Sequence, residues 1–268
     1  NYTMGTFASY IIGYAKTYED GDIVGELGIE SYYDEELSGV DGLTTYQTDA
    51  YGYTLPSAEV ITEDATNGND IYLTIDTDIQ IFAENLTRDM SNDYNMDWMI
   101  FTVMDAKTGA IVASSTSPNF DPNKLDITNY MNPLVSYEYE PGSTMKIFSF
   151  ASAIEEGLYN GEELYNSGTV TLKDGTTIKD FNKVGWGKIS FDTGFAYSSN
   201  VAATLLAKRL KVEKLTDYYK KLGFGSKTGI ELANEVKGKI NFKYESELAT
   251  ASFGQGITAT PIQILEAL

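Results

Sequence analysis

The chain contains neither cysteine nor histidine. These two absences close most routes to an activated nucleophile: a Ser-His-Asp triad, a Cys-His pair and a His-ligated zinc are all unavailable. Without cysteine there is no disulfide framework either. Positive charge is scarce, with 19 basic against 39 acidic residues and a formal net charge of -20. A polyanion finds no basic face on such a chain, so nucleic acid is not an expected partner. No apolar run reaches the roughly 18 to 20 residues of a membrane span, and Asn1 opens no signal peptide. Any anchor is therefore expected outside this chain. What remains is 268 residues with 42% apolar content, enough for one good-sized core and a smaller appendage.

Against that background one string stands out. Residues 140 to 146 read Glu-Pro-Gly-Ser-Thr-Met-Lys, and Ser143 is the only serine followed by a lysine at the third position. A serine whose base is a lysine on the same helix needs neither of the missing residue types.

The organisation of the chain frames this pair. The first sixty or so residues are rich in Gly, Tyr and acids, with one short helical pattern that places Ile29, Tyr33 and Leu37 on a shared face. Residues 1–62 read as a small accessory region, with a boundary near residue 62. Ile71 to Ile75 reads as a strand. Thr77 with Gln80 offers a capping box, and Ile79, Phe82, Ala83, Leu86 and Met90 form a helical stripe. Met99 to Met104 and Ala110 to Ser115 read as a hairpin closed by Asp105-Ala106-Lys107-Thr108-Gly109. The segment from Met145 to Ile154 is apolar almost all round, which predicts a helix buried in a core and stopped by Gly157. A second hairpin is expected around Lys173-Asp174-Gly175. Val201 to Leu210 and Val212 to Leu222 predict two helices separated by Lys211. Thr260-Pro261-Ile262-Gln263 opens a helix with an N-cap, a first-turn proline and a capping glutamine. The chain ends at Leu268, barely two turns later, with Ile262, Leu265 and Leu268 awaiting a partner surface. Such a short helix is marginal alone, so the natural protein is expected to continue.

On a helix, residues three apart lie on one face with Cβ atoms about 5 to 6 Å apart, so Lys146 can reach the Ser143 hydroxyl. Free N–H groups at the helix start can stabilise an oxyanion, and the positive dipole end disfavours an ammonium. To act as a base near pH 7, Lys146 must fall by roughly three pH units from about 10.4, worth about 4 kcal/mol. The dipole supplies at most about 2 kcal/mol. Burial among Met145, Ile147 and Phe148, or a second cation, must provide the rest. Ser198-Ser199-Asn200 precedes a helical run and by itself reads as an N-cap. Beside the Ser-Lys pair it offers a hydroxyl to relay a proton and an amide to hold a substrate amide.

Ser143-Thr144-Met145-Lys146 followed by Ser198-Ser199-Asn200 resembles the first two of three active-site motifs of penicillin-binding proteins and serine β-lactamases. Further strings are similar to class B penicillin-binding proteins: Gly28-Ile29-Glu30 with Leu37, Gly39 and Asp41-Gly42; Gly185-Trp186-Gly187; Gly223-Phe224-Gly225 through Gly229-Ile230-Glu231-Leu232; and Gly254-Gln255-Gly256 with Thr260-Pro261 and Gln263. The resemblance implies a mixed α/β (α+β) transpeptidase fold over residues 63–268, a central antiparallel sheet flanked by helices, with residues 1–62 as part of an N-terminal pedestal. It implies that Ser143 attacks the carbonyl of a D-Ala-D-Ala stem peptide, giving an acyl-enzyme that a neighbouring chain's amine resolves into a peptidoglycan crosslink. D,D-carboxypeptidase would be a side activity. Lys146 would be the base, Ser198 the relay to the leaving amine and Asn200 a substrate-binding group, with β-lactams acylating the same serine. No metal or organic cofactor is called for. The expected setting is the outer face of a bacterial cytoplasmic membrane, tethered by an N-terminal helix, with a membrane glycosyltransferase as partner. A non-catalytic penicillin-binding sensor or scaffold is the alternative reading. A β-lactamase fits less well, because the first sixty residues and the Gly-Gln-Gly string speak against it.

The third motif of that family is Lys-Thr/Ser-Gly on a sheet edge. Lys107-Thr108-Gly109 precedes the nucleophile and sits in a hairpin turn, and Lys227-Thr228-Gly229 lies in a Gly-rich loop. Both are read as structural turns. Ser117-Pro118-Asn119 is read as a loop, and the third motif is expected beyond Leu268. The resemblance implies that the missing strand supplies a second cation near Lys146 and one of two oxyanion-hole donors, and loss of one such donor costs about 100- to 1,000-fold in rate. Acylation by a fluorescent penicillin is accordingly expected to accelerate when the downstream segment is present, and equal rates with and without it would refute this.

Overall fold

A computed structural model of the chain describes residues 1–19, 21–51, 53 and 60–268. These divide into two compact units, Asn1–Asn132 with Glu231–Ala233, and Pro133–Ile230 with Asn234–Leu268. Ladders among the described residues form antiparallel pairs of strands.

The first unit begins with α1 (Ser9–Ile12), β1 (Tyr14–Thr17) and β2 (Ile23–Leu27), the two strands pairing as a hairpin. Next come α2 (Gly28–Tyr32) and α3 (Asp34–Leu37), so the single helix expected over Ile29, Tyr33 and Leu37 is broken at Tyr33. The Tyr33 backbone, at φ -110° and ψ 29°, is not helical, which ends the shared face. β3 (Leu43–Thr45) pairs with β4 (Ile61–Glu63). A small aromatic core gathers Tyr10, Tyr14, Leu27, Phe120 and Ile127, with Phe120 meeting both tyrosine rings edge-on.

α4 (Thr77–Asp93) lies against β6 (Ile111–Ser117), which pairs with β5 (Met99–Met104) in the hairpin anticipated from the sequence. Among the described residues this hairpin, with α4 packed on it, is a two-stranded antiparallel ladder, as are the other four. Three expectations for this region need correction. The N-cap of α4 is Asp76, whose carboxylate accepts from the Ile79 N–H at 2.9 Å, and not Thr77. Gln80, released from capping, is buried and spans both backbone groups of Ser114 on β6, accepting from the amide at 2.8 Å and donating to the carbonyl at 3.0 Å. The buried face of α4 is therefore Gln80, Ala83 and Thr87, while Phe82 of the apolar stripe is 63% exposed. Ile71 to Ile75 forms no ladder. It is tied alongside β6 by Thr74 Oγ1 donating to the Ile111 carbonyl, and just beyond it the Asp76 N–H donates to Val112.

The second unit contains α5 (Pro133–Ser136), a 3-10 turn at Gly142–Thr144 that continues into α6 (Met145–Glu155), and the short strands β7 (Leu164–Asn166), β8 (Thr169–Thr171), β9 (Thr177–Lys179) and β10 (Lys188–Ser190). β8 and β9 form the second anticipated hairpin, and β7 pairs with β10. α7 (Phe191–Ala196), α8 (Asn200–Lys221), α9 (Glu245–Ala251) and α10 (Pro261–Ala267) follow. Its core is built where α6, α8 and α9 meet around Phe191, Leu206, Leu210, Tyr219 and Phe224. The Tyr219 hydroxyl, fully buried, is satisfied by Ser149 Oγ at 2.8 Å and the Ala251 carbonyl at 3.0 Å. This removes the cost of an unpaired buried polar group.

The apolar run of α6 is not buried all round, as the sequence suggested. Met145, Phe148, Ser149, Ser152 and Ala153 follow the i, i+3, i+4 spacing of one inward face. Ile147 and Ile154, two turns apart on the other side, are exposed. α10 starts at Thr260 with the reciprocal Thr260–Gln263 capping box expected from the sequence. Its Ile262 is already buried, while Leu268 is 71% exposed.

Lys211 divides α8 where the sequence placed a break, with φ 67° and ψ 169° inside an otherwise helical run. That region belongs almost only to glycine, and a side chain there costs on the order of 1–3 kcal/mol. Lys211→Gly is therefore expected to raise stability by about 1 kcal/mol in urea unfolding, after allowing for the added freedom of glycine in the unfolded chain. A loss of stability would show that the lysine side chain holds the kink.

Candidate active site

The turn that carries Ser143 is fixed by backbone. Gly142 takes φ 60°, a left-handed value that suits glycine. Its N–H donates to the Gly254 carbonyl at 3.0 Å. The two chains run so close that a Cβ on Gly254 would lie 2.2 Å from the Gly142 oxygen, which no real contact tolerates. Thr144 Oγ1 donates back to the Pro141 carbonyl at 2.9 Å, closing the turn. Ser143 is thereby presented at the surface, and Lys146 enters the core one turn later at 3% exposure.

Ser198 is held just as firmly from the other side. It links α7 to α8 with φ 55°, unusual for a residue with a side chain, and its N–H donates to the Phe195 carbonyl. That conformation turns both its carbonyl and its hydroxyl toward Lys146. The lysine Nζ lies 3.0 Å from Ser143 Oγ, 2.7 Å from the Ser198 carbonyl and 3.0 Å from Ser198 Oγ. The ring of Phe253 lies 6.0 Å from the same nitrogen.

These contacts define the proton chemistry available. The Ser198 carbonyl can only accept, so it always claims one lysine N–H. A neutral amine then has one further N–H, which suits Ser198 Oγ, and one lone pair, which faces the Ser143 hydroxyl. In the protonated state the same three partners take all three N–H donors. The site therefore accommodates either form of Lys146 without a heavy atom moving, and the 3.0 Å distances are within range for proton transfer. Burial pushes the Lys146 ammonium down to about 8, opposed by the negative charge of Asp180. Desolvation is the main cause of that lowering. Its source is corrected in one detail: Met145 and Phe148 are buried, but Ile147 points to solvent.

Ser143, Lys146 and Ser198 are thus brought together, the first two as three-residue spacing implied and Ser198 as the resemblance implied. Asn200 stands in the first turn of α8, its amide donating to the Lys179 carbonyl at 3.0 Å. Ser199, and not Ser198, is the N-cap: its hydroxyl accepts from the Ala202 N–H. Both Lys-Thr-Gly strings are structural. Asp105 Oδ1 accepts from the amides of Lys107 and Thr108 and from the Thr108 hydroxyl, and Glu235 holds the Thr228 amide and hydroxyl and the Gly229 amide in the same fashion. Among the described residues no cluster of three or more acidic side chains could hold a metal ion.

Comparison with known proteins places this geometry in context. Residues 99–268 match the penicillin-binding protein transpeptidase domain, and residues 1–73 match the penicillin-binding protein dimerisation domain. The chain is 36% identical to stage V sporulation protein D of Bacillus subtilis, over 100% of its own length and 42% of that protein. It is 33% identical to penicillin-binding protein PbpB of Mycolicibacterium smegmatis, over 98% of its length and 41% of that protein. It is 27% identical to the peptidoglycan D,D-transpeptidase MrdA of Escherichia coli, over 100% of its length and 48% of that protein. Its fold matches the crystal structure of penicillin-binding protein 2X from Streptococcus thermophilus with a TM-score of 0.88 and 32% identity, covering 99% of this chain and 41% of that one. The chain spans less than half the length of these relatives. With the transpeptidase model running from β5 through α10 and the Ser-Lys-Ser trio inside it, the chain belongs to the class B penicillin-binding proteins.

Proposed function

We propose that this chain carries the acylation centre of a peptidoglycan D,D-transpeptidase. The observation that supports this most is a single buried amine, Lys146 Nζ, within 3.0 Å of both the Ser143 and the Ser198 hydroxyls. In this reading the neutral Lys146 takes the Ser143 proton as Oγ attacks the carbonyl between the terminal D-alanines of a stem peptide. The proton passes through Ser198 Oγ to the leaving D-alanine amine, whose departure leaves an ester on Ser143. The amine of a neighbouring stem peptide then displaces the serine, and the proton chain runs in reverse. Asn200 holds the substrate amide. β-Lactams enter the same first step but remain as the ester.

The reading extends to the protein's organisation. Residues 1–62 act as part of an accessory pedestal and residues 63–268 as the transpeptidase domain. The enzyme works on the outer face of a bacterial membrane, anchored by an N-terminal helix and paired with a membrane glycosyltransferase that supplies the glycan strands. Among the described residues no helix is long and apolar enough to cross a membrane.

Three measurements test the chemistry. Intact-mass spectrometry after exposure to benzylpenicillin is expected to give one adduct per chain, mapped to the peptide carrying Ser143 and lost in Ser143→Ala. Rapid turnover of a chromogenic β-lactam would point to a β-lactamase instead. The pH dependence follows from the lowered lysine. Only the neutral amine is a base, so the acylation rate should rise tenfold per pH unit below about 8, then level off above it. A rate independent of pH between about 6 and 9 would remove Lys146 from the role of base.

A further inference from the structure

We propose that Asp180 is a positioning residue for this trio: its carboxylate, at the end of β9, fixes the turn Ser198–Asn200 whose carbonyl and hydroxyl hold Lys146, and sets a negative charge against that lysine. The proposal rests on the acylation chemistry above and assigns a residue that neither motif contains. Asp180 is 1% exposed, and a carboxylate so deeply buried persists only where donors surround it. Here they do. The Ser199 hydroxyl donates to Oδ1 at 2.8 Å, the Val201 N–H to Oδ1 at 3.0 Å, and the Gly168 N–H to Oδ2 at 2.7 Å. The Asp180 N–H returns a bond to the Gly168 carbonyl at 3.0 Å, and the neighbouring Lys179 carbonyl takes the Asn200 amide. Residues 199, 200 and 201 are thus each anchored to the end of β9.

That clamp answers a need created by Ser198. A left-handed serine is held only where its surroundings overdetermine it. On one side the Phe195 carbonyl takes its N–H, and on the other the three residues that follow are fixed by Lys179 and Asp180. If the clamp loosens, Ser198 can relax toward an ordinary conformation and swing its carbonyl away from Lys146.

The charge has its own effect. Among the described residues, the negative charge of Asp180 acts on Lys146, where it opposes burial. The other titratable group facing Asp180 is Tyr165 of β7, which burial pushes up and so keeps neutral. Phe253, from the segment after α9, brings an uncharged ring.

Asp180→Asn and Ser199→Ala together separate the two effects. All three partners of the carboxylate donate, so either orientation of an amide sets its NH2 against a backbone N–H of Gly168 or Val201, and at least one bond is lost. Capture of benzylpenicillin by the Asn variant is expected to slow roughly 10- to 100-fold, as for a misplaced catalytic group. The midpoint of its pH profile should move below the value near 8 of the unaltered chain, because the charge that favoured the ammonium is gone. Ser199→Ala, which removes the bond to Asp180 and the α8 N-cap bond from Ala202 but no charge, should slow capture while leaving the midpoint in place; it also serves if the Asn variant does not fold. The proposal is overturned by an Asn variant whose midpoint does not move, or by an Ala variant that captures at the unaltered rate. An unaltered chain that forms no adduct would defeat the transpeptidase reading, and this proposal with it.

Discussion

The site depends on one buried amine that is given more hydrogen-bond acceptors than it can use when neutral. A lysine deep in a protein ordinarily loses its proton and its usefulness together, because the charged form is penalised and the neutral form has nothing to act on. Around Lys146 the carbonyl of Ser198 fixes the orientation, and two hydroxyls stand where a proton can leave or arrive. The desolvation that lowers the lysine is balanced against Asp180, so the group stays near the range where both protonation states are populated. The rest of the second unit can be read as scaffolding for that balance: α6 and the turn that opens it supply two members, the α7–α8 junction the third, and β9 the opposing charge.

Much of this is legible in the sequence because it is written in local chemistry. Ser143 and Lys146 share a helical turn, and three-residue spacing alone places them together. The hairpins at Lys107-Thr108-Gly109 and Lys173-Asp174-Gly175 announce themselves through their turn residues, and the capping box at Thr260 through a proline and a glutamine. Even the break at Lys211 follows from a lysine interrupting two apolar patterns.

What escapes a sequence reading is set by partners distant along the chain. Gln80 has the spacing of a capping residue, but the backbone of Ser114 offers it a buried donor and acceptor, and Asp76 takes over the cap. The apolar stripe of α4 cannot reveal that its polar face is the buried one. Ile147 reads as core because its neighbours are apolar, although α6 turns it outward. Asp180 carries no signal at all in one sequence. It is a single acid after a three-residue strand, and its meaning emerges only when the hydroxyl of Ser199 and the amides of Gly168 and Val201 converge on it.

The contact between Gly142 and Gly254 limits how this centre can change. Most catalytic pockets adapt by exchanging side chains, and a neighbouring residue then shifts to make room. Here the support beneath Ser143 is peptide against peptide, with no side chain on either surface to exchange. A side chain at Gly254 would run into the Gly142 oxygen, so a change there has to move the very backbone that carries Ser143.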